Sequence, residues 1–205
     1  VGSGFVVREI TGVHLREAAY GEDLVGWSRV VDSRRDLLMR RSTGIEGVLL
    51  GSAEWVHLGA DGAPGRAPRA LVDAFPVSPP EPPVELPEWE EHAPDPILPF
   101  ELIPWWTEMD PMGHVNHPRY VDWADEALSA WLASRGDDPL GLIPRAERVR
   151  FRAAAKAGDR VVVSGAKVGW AAHGAAYHLR MRRGAEVLCD AWIVRDHLEG
   201  ERVFR

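Results

Sequence analysis

The chain has one cysteine, Cys189, in 205 residues. A lone cysteine excludes an internal disulfide and a cysteine-built zinc cluster, and it points to a reducing, cytoplasmic setting. No apolar run approaches the roughly 20 residues that span a bilayer. The opening residues, VGSGFVVREI, lack the pattern of a signal peptide and also lack an initiating methionine, so a missing stretch before Val1 is expected. Positive charge is in deficit as well: 24 Lys plus Arg face 31 Asp plus Glu, giving a net charge of -7 and a pI near 5.6. That balance argues against nucleic acid or an anionic membrane as the main partner. What is present is a globular composition, 45% hydrophobic and 27% charged, with enough length for one large domain or two small ones.

Strand-like alternation appears twice. The first set is FVVREITGVHL, DLVGWSRVV, RRDLLMRRST and VLLGSAEWVHL; the second is AERVRFRA, DRVVVSGAKVGW, AAYHLRMRR and EVLCDAWIVRD. Gly21-Glu22 corresponds to Gly158-Asp159, and LLGSA at 49–53 to VLCDA at 187–191, at an offset of roughly 137 residues. Between the sets lies FPVSPPEPPVELPEWEEHAPDPILPF, 75–100. Proline fixes φ and withholds a donor, so this stretch is expected to be an extended linker rather than a helix or a central strand. The expected organisation is a first unit over 1–75, a linker over 76–97 and a second unit over 98–205.

The second unit reads as strand, helix and four strands. Its helix follows Pro118, which suits a first turn; Asn116 or His117 can cap it, and Gly136 can end it. At 3.6 residues per turn, Tyr120, Trp123, Ala124, Ala127, Leu128 and Trp131 share one face, with Asp122, Asp125, Glu126 and Ser129 opposite. Val149 and Phe151, and Tyr177, Leu179 and Met181, alternate with arginines, giving a sheet with one apolar and one wet, basic face. The helix packs on the apolar face, an α+β arrangement. Shifted back by the repeat offset, the corresponding helix of the first unit falls before Val1, so that unit is expected to be N-terminally incomplete.

The segment MDPMGHVNHPRYVDWADEAL, 109–128, resembles the signature of hotdog-fold thioesterases, in which Asp-x-x-Gly-His-Val-Asn precedes the tyrosine that opens a central helix. Its Asp-Pro-x-Gly loop is similar to that of the 4-hydroxybenzoyl-CoA type. The tandem layout resembles the acyl-ACP thioesterases, which carry two hotdog units in one chain. The fold this implies is a double hotdog, antiparallel sheet wrapped around a long helix. The activity it implies is hydrolysis of an acyl thioester on acyl carrier protein or coenzyme A, within lipid metabolism or fatty acid biosynthesis.

The residues suit that chemistry. A thioester carbonyl gaining negative charge needs N–H donors, and a helix N-terminus supplies them; the N–H of Gly113 or His114 is the expected oxyanion donor. Asp110 supplies a carboxylate that can attack the carbonyl or deprotonate water, and His114 can orient water, stabilise charge or act as base. Met112, Asn116, Tyr120 and Arg152 are expected to bind substrate. Met112, Trp105, Trp106 and Tyr120 suit an acyl tunnel, and Arg148, Arg150, Arg152 and Lys156 suit a carrier's phosphate or acidic surface. Asp125 and Glu126 are rival carboxylates, since other hotdog thioesterases use an acid on the helix. No cofactor is called for, and Asp110, His114 and His117 are poorly spaced for a shared metal. Pairing into a homo-oligomer is compatible with the layout.

The sequence also departs from the acyl-ACP thioesterases. Met112 stands where they carry asparagine, and Ala154 and Ala155 stand near the place of their Glu-Cys pair. Cys189 lies in a strand and is expected to pack as a small apolar residue. These departures favour Asp110 chemistry and leave two other readings: a non-catalytic hotdog module that binds acyl thioesters or pairs with a subunit, and a hotdog dehydratase, whose motifs DPMGHVNH does not resemble.

Overall fold

The computed structural model describes residues 4–139 and 142–197. The chain forms two compact units, Val1–Leu86 and Pro87–Arg205. In the first, β1 (Gly4–His14), β2 (Gly26–Arg34), β3 (Leu38–Ile45) and β4 (Leu49–Leu58) form an antiparallel sheet in the order β2-β3-β4-β1. The only helix among its described residues is α1 (Arg69–Asp73). Val7, Val30, Val31, Met39, Val48 and Ala67 are its buried apolar residues. Each strand overlaps one read from period-2 alternation, because one face is buried and the other is not.

The second unit adds β5 (Glu90–Leu102), α2 (Pro118–Arg135), β6 (Leu142–Phe151), β7 (Val161–Ala171), β8 (Gly174–Arg183) and β9 (Glu186–His197). These strands pair antiparallel in the order β6-β9-β8-β7-β5. The four strands after α2 run β7-β8-β9-β6, the same succession as β2-β3-β4-β1 in the first unit. The proline-rich stretch divides. Its start folds back on the first unit, where Ser78 N–H donates to Val30 O at 2.7 Å and Arg40 reaches Glu81 O. Its end is β5, a strand that begins within the expected linker of 76–97. β5 carries Pro94, Pro96 and Pro99 and, among the described residues, pairs with β7 alone, with its register broken twice. Proline is tolerated there because an edge strand leaves one row of donors unpaired.

Helix α2 begins at Pro118, as the missing N–H of proline predicts. It stops where Gly136 takes φ +81, letting Gly136 N–H reach Ala133 O and Asp137 N–H reach Leu132 O. Its buried residues are the expected face, Tyr120, Trp123, Ala124, Ala127, Leu128 and Trp131, with Leu132. They meet Val149, Val163, Leu179, Met181, Cys189 and Ile193 in one core. Truncating a residue like Leu128, which has no exposed surface, costs about 2–5 kcal/mol.

The sheet face away from α2 is basic but not simply wet. It contains Asp190, 1% exposed, between Arg152, the residue after β6, and Arg180 of β8. On the helix side Arg195, also 1% exposed, makes a two-pronged pair with Asp125 of α2, at 2.8 and 3.0 Å, and meets Glu147 at 3.3 Å. A buried guanidinium is tolerable only with such partners. Asp125, one of the rival carboxylates, is thus held by a structural ion pair.

Candidate active site

The candidate site is the loop between β5 and α2. A single 3-10 turn, Trp106–Glu108, leads into it. Glu108 fixes that turn: its Oε2 accepts Trp105 N–H at 2.9 Å, its Oε1 accepts Trp123 Nε1–H at 3.1 Å, and its backbone carbonyl accepts Asn116 N–H at 2.8 Å. Met109 and Val115 then pair as an antiparallel bridge, pinching off residues 110–114. Asp110 N–H donates to His114 O at 2.7 Å across the neck. Gly113 sits at φ +77, a left-handed conformation that glycine adopts without steric cost.

Asp110 organises this loop. Its Oδ1 accepts Met112 N–H at 2.9 Å and His114 N–H at 3.1 Å, and its carbonyl accepts Gly113 N–H at 3.0 Å. Among the described residues nothing donates to its Oδ2. One oxygen is anchored by the loop's amides and the other is not.

The same bonds engage both amides that were expected as oxyanion donors. The N–H groups of Gly113 and His114 are both spent on Asp110. Val115 N–H goes to Ala155 O, Asn116 N–H to Glu108 O, and Pro118 has none. Among the described residues, the N–H of His117 is the one amide from Val115 to the start of α2 that meets no acceptor. It stands at the N-cap position of an 18-residue helix, where the dipole favours negative charge. Neither Asn116 nor His117 caps the helix through its side chain.

His117 is also electrostatically part of the site. Burial pushes its imidazole below the ordinary histidine range; the Asp110 carboxylate opposes that shift and His114 adds to it. Its ring stands edge-on to Phe151, with centroids 4.7 Å apart. His114 is half-buried in the same loop.

The expected substrate-binding residues lie in different settings. Met112 is 47% exposed and Asn116 is exposed, both on the loop. Tyr120 is 2% exposed, and its hydroxyl accepts Ala155 N–H at 2.9 Å. Burial, partly offset by that hydrogen bond, pushes the phenol up to about 12. Tyr120 therefore braces the loop: Ala155 offers its N–H to the tyrosine and its carbonyl to Val115. Arg152 lies on the far side of the sheet and donates from Nε to Asp190 Oδ2 at 2.7 Å. Trp105 and Trp106 are exposed beside the loop rather than packed in the core.

Among the helix acids, Glu126 is exposed, and its carboxyl is pushed up by partial burial and by Asp122 and Glu108, against Arg119. Cys189 is fully buried; burial, with the Asp190 carboxylate, pushes its thiol far up, which suits packing and not attack. Glu108 and the backbone of Ala155 were missed from sequence. Glu108 had a local signal, an acid three residues after Trp105 at the start of a turn. Ala155 had none, since only its backbone acts.

No curated protein matches the chain. Solved structures are similar in fold. One, described as an oleoyl thioesterase from Lactobacillus plantarum, has 19% identity and a TM-score of 0.78 over 97% of this chain and 78% of that one. An acyl-ACP thioesterase from Bacteroides thetaiotaomicron has 16% identity and a TM-score of 0.71 over 95% and 77%. The 12:0-ACP thioesterase from Umbellularia californica has 15% identity and a TM-score of 0.73 over 95% and 74%. These likenesses concern the fold. Residues 104–197, from the candidate loop to the end of β9, match the thioesterase-like superfamily.

Proposed function

We propose that the protein hydrolyses an acyl thioester, carried on acyl carrier protein or coenzyme A, to a free acid and a thiol. The observation that carries this reading is the division of labour in the Asp110 loop. Among the described residues, one carboxylate oxygen holds the loop through two N–H groups, the other meets no donor, and the N–H of His117 at the helix start meets no acceptor.

In this mechanism the thioester oxygen accepts the N–H of His117. One such donor is worth about 3 kcal/mol to the transition state. Asp110 then acts in one of two ways. As nucleophile, Oδ2 adds to the carbonyl carbon, the C–S bond breaks, and water cleaves the resulting anhydride. As base, it takes a proton from water, the hydroxide adds to the carbon, and the proton leaves with the thiolate. In this reading His114 and the neutral imidazole of His117 pass that proton. Met112, Trp105 and Trp106 offer apolar contact to the acyl chain.

The shared strand succession of the two units supports reading the first as the back part of a second hotdog. That layout favours carrier protein over coenzyme A and a role in fatty acid biosynthesis in the cytoplasm. The test is thiol release from acyl thioesters by wild type and by Asp110→Asn. Asparagine keeps the acceptor for Met112 and His114 but loses the charge. A loss of about 100-fold or more supports Asp110 chemistry. Binding without cleavage by wild type would support the non-catalytic hotdog reading, which Met112, Ala154 and Ala155 favour.

A further inference from the structure

The face of the second sheet away from α2 holds a cluster the thioester chemistry does not use. Alternation along β9 sends Cys189, Ala191 and Ile193 into the core and Asp190 to the other side, yet Asp190 is 1% exposed. Its cover is two arginines. Arg152 donates from Nε to Oδ2 at 2.7 Å, and Arg180 from Nε to Oδ1 at 2.6 Å. Burial works to raise the Asp190 pKa, but the two hydrogen bonds outweigh it and keep the carboxyl below its usual range.

Each arginine spends only its Nε on this carboxylate. Among the described residues the Nη groups of Arg152 and Arg180 meet no acceptor. His178 lies beside them: its buried Nε2 is 3.6 Å from Asp190 Oδ1 and, among the described residues, has no hydrogen-bond partner. The imidazole is held flat on Trp192, with centroids 4.6 Å apart and planes 7° apart. Two guanidinium charges face one carboxylate, so the cluster keeps a surplus of positive charge.

We propose that Arg152 and Arg180, oriented by Asp190 and flanked by His178, form a binding site for a phosphate group. A carboxylate is planar and is filled by one guanidinium fork. A tetrahedral phosphate takes N–H donors from two planes at once, and two forks pinned at their Nε edges present such donors. Pinning also removes much of the entropy cost of ordering long side chains on a ligand. The source of the phosphate rests on the thioester reading: the carrier arm of the substrate, which bears phosphate on both coenzyme A and acyl carrier protein. Arg152 lies three residues before Ala155, whose backbone clamps Val115 and Tyr120, so the site adjoins the end of the sheet that holds the Asp110 loop.

The test is calorimetric titration of the full chain at low salt with inorganic phosphate, 3′,5′-adenosine diphosphate and 4′-phosphopantetheine. Wild type is expected to bind at least one of them. Arg180→Gln and Arg152→Gln are each expected to weaken that binding by about tenfold or more, as loss of a charged hydrogen bond requires. Arg180→Lys, which keeps charge without the fork, should fall between. Arg160→Gln, an exposed partner of Glu101, should bind as wild type does. Tighter binding of the nucleotide points to coenzyme A, and tighter binding of phosphopantetheine to the shared arm. Absence of binding to all three, or binding indifferent to Arg180→Gln, overturns the site and shows the arginines only neutralise Asp190. Phosphate binding through Arg180 in a protein that cleaves no thioester would keep this site and remove the catalytic reading. Cleavage with no arginine-dependent phosphate binding would do the reverse.

Discussion

The backbone N–H of His114 donates to Oδ1 of Asp110 across 3.1 Å, four residues back along the chain. The residue expected to react is therefore also the residue that shapes its loop. Substitutions that remove the side chain confuse the two roles. Asp110→Ala strands the Met112 and His114 amides, whereas Asp110→Asn leaves them an acceptor. Asp110→Asn is thus expected to unfold at nearly the wild-type temperature, and Asp110→Ala lower, in a thermal melt.

Tyr120 is expected to act on the loop from below. Tyr120→Phe removes the acceptor of Ala155 N–H, a buried group, and should cost about 1–3 kcal/mol in chemical denaturation. Because Ala155 O holds Val115, the same variant should lose activity by more than its small change in stability at the assay temperature suggests. Full activity in Tyr120→Phe would show that the Ala155 clamp is unimportant.

Asp125 is expected to be structural. Asp125→Ala leaves Arg195, 1% exposed, with Glu147 as its remaining acid. Removing one partner of a buried pair costs about 3–5 kcal/mol, and the retained Glu147 should bring the loss to the lower end of that range. The measurement is denaturant unfolding. A fall in turnover with unchanged stability would instead make Asp125 a reacting group.

Two half-buried histidines set a pH dependence. Burial lowers the pKa of both His117 and His178, against opposing acids. Near neutral pH both are neutral whether folded or unfolded. As pH falls below the ordinary histidine value of about 6.5, the unfolded chain takes up protons first, so stability falls until the lower, folded-state pKa is passed. Urea midpoints measured from pH 7.5 to 5 should decline, and the decline should be shallower in His117→Gln/His178→Gln. An unchanged slope would contradict the burial of these rings.

Cys189 has no exposed surface and a thiol pushed far up by burial. Native protein should release no colour with a thiol-exchange reagent, and denatured protein should react at one thiol per chain. Rapid reaction of the native protein would reopen cysteine chemistry.

Much of this architecture was legible in the sequence, for definite reasons. The α2 face was readable because Trp123, Ala124, Ala127, Leu128 and Trp131 repeat at helical spacing between Pro118 and Gly136, each of which has a local mechanism. The strands were readable from alternation. β5 was not, since its prolines signal an extended chain and only pairing with β7 makes that chain a strand. The loop residues were identified by motif, but the spending of the Gly113 and His114 amides on Asp110 was not, because backbone hydrogen bonds depend on conformation and not on side-chain type. Likewise Arg152 stood out as a charge, while its seat on Asp190 required β6 and β9 to lie side by side, 38 residues apart in sequence.

The most direct test of the account is thiol release from a panel of acyl thioesters, with wild type and Asp110→Asn compared at equal folded concentration. The account predicts cleavage by wild type and a loss of about 100-fold or more in the variant, with its melting temperature nearly unchanged. Equal activity in the two proteins would contradict it, and would move the chemistry to His114 or Glu126.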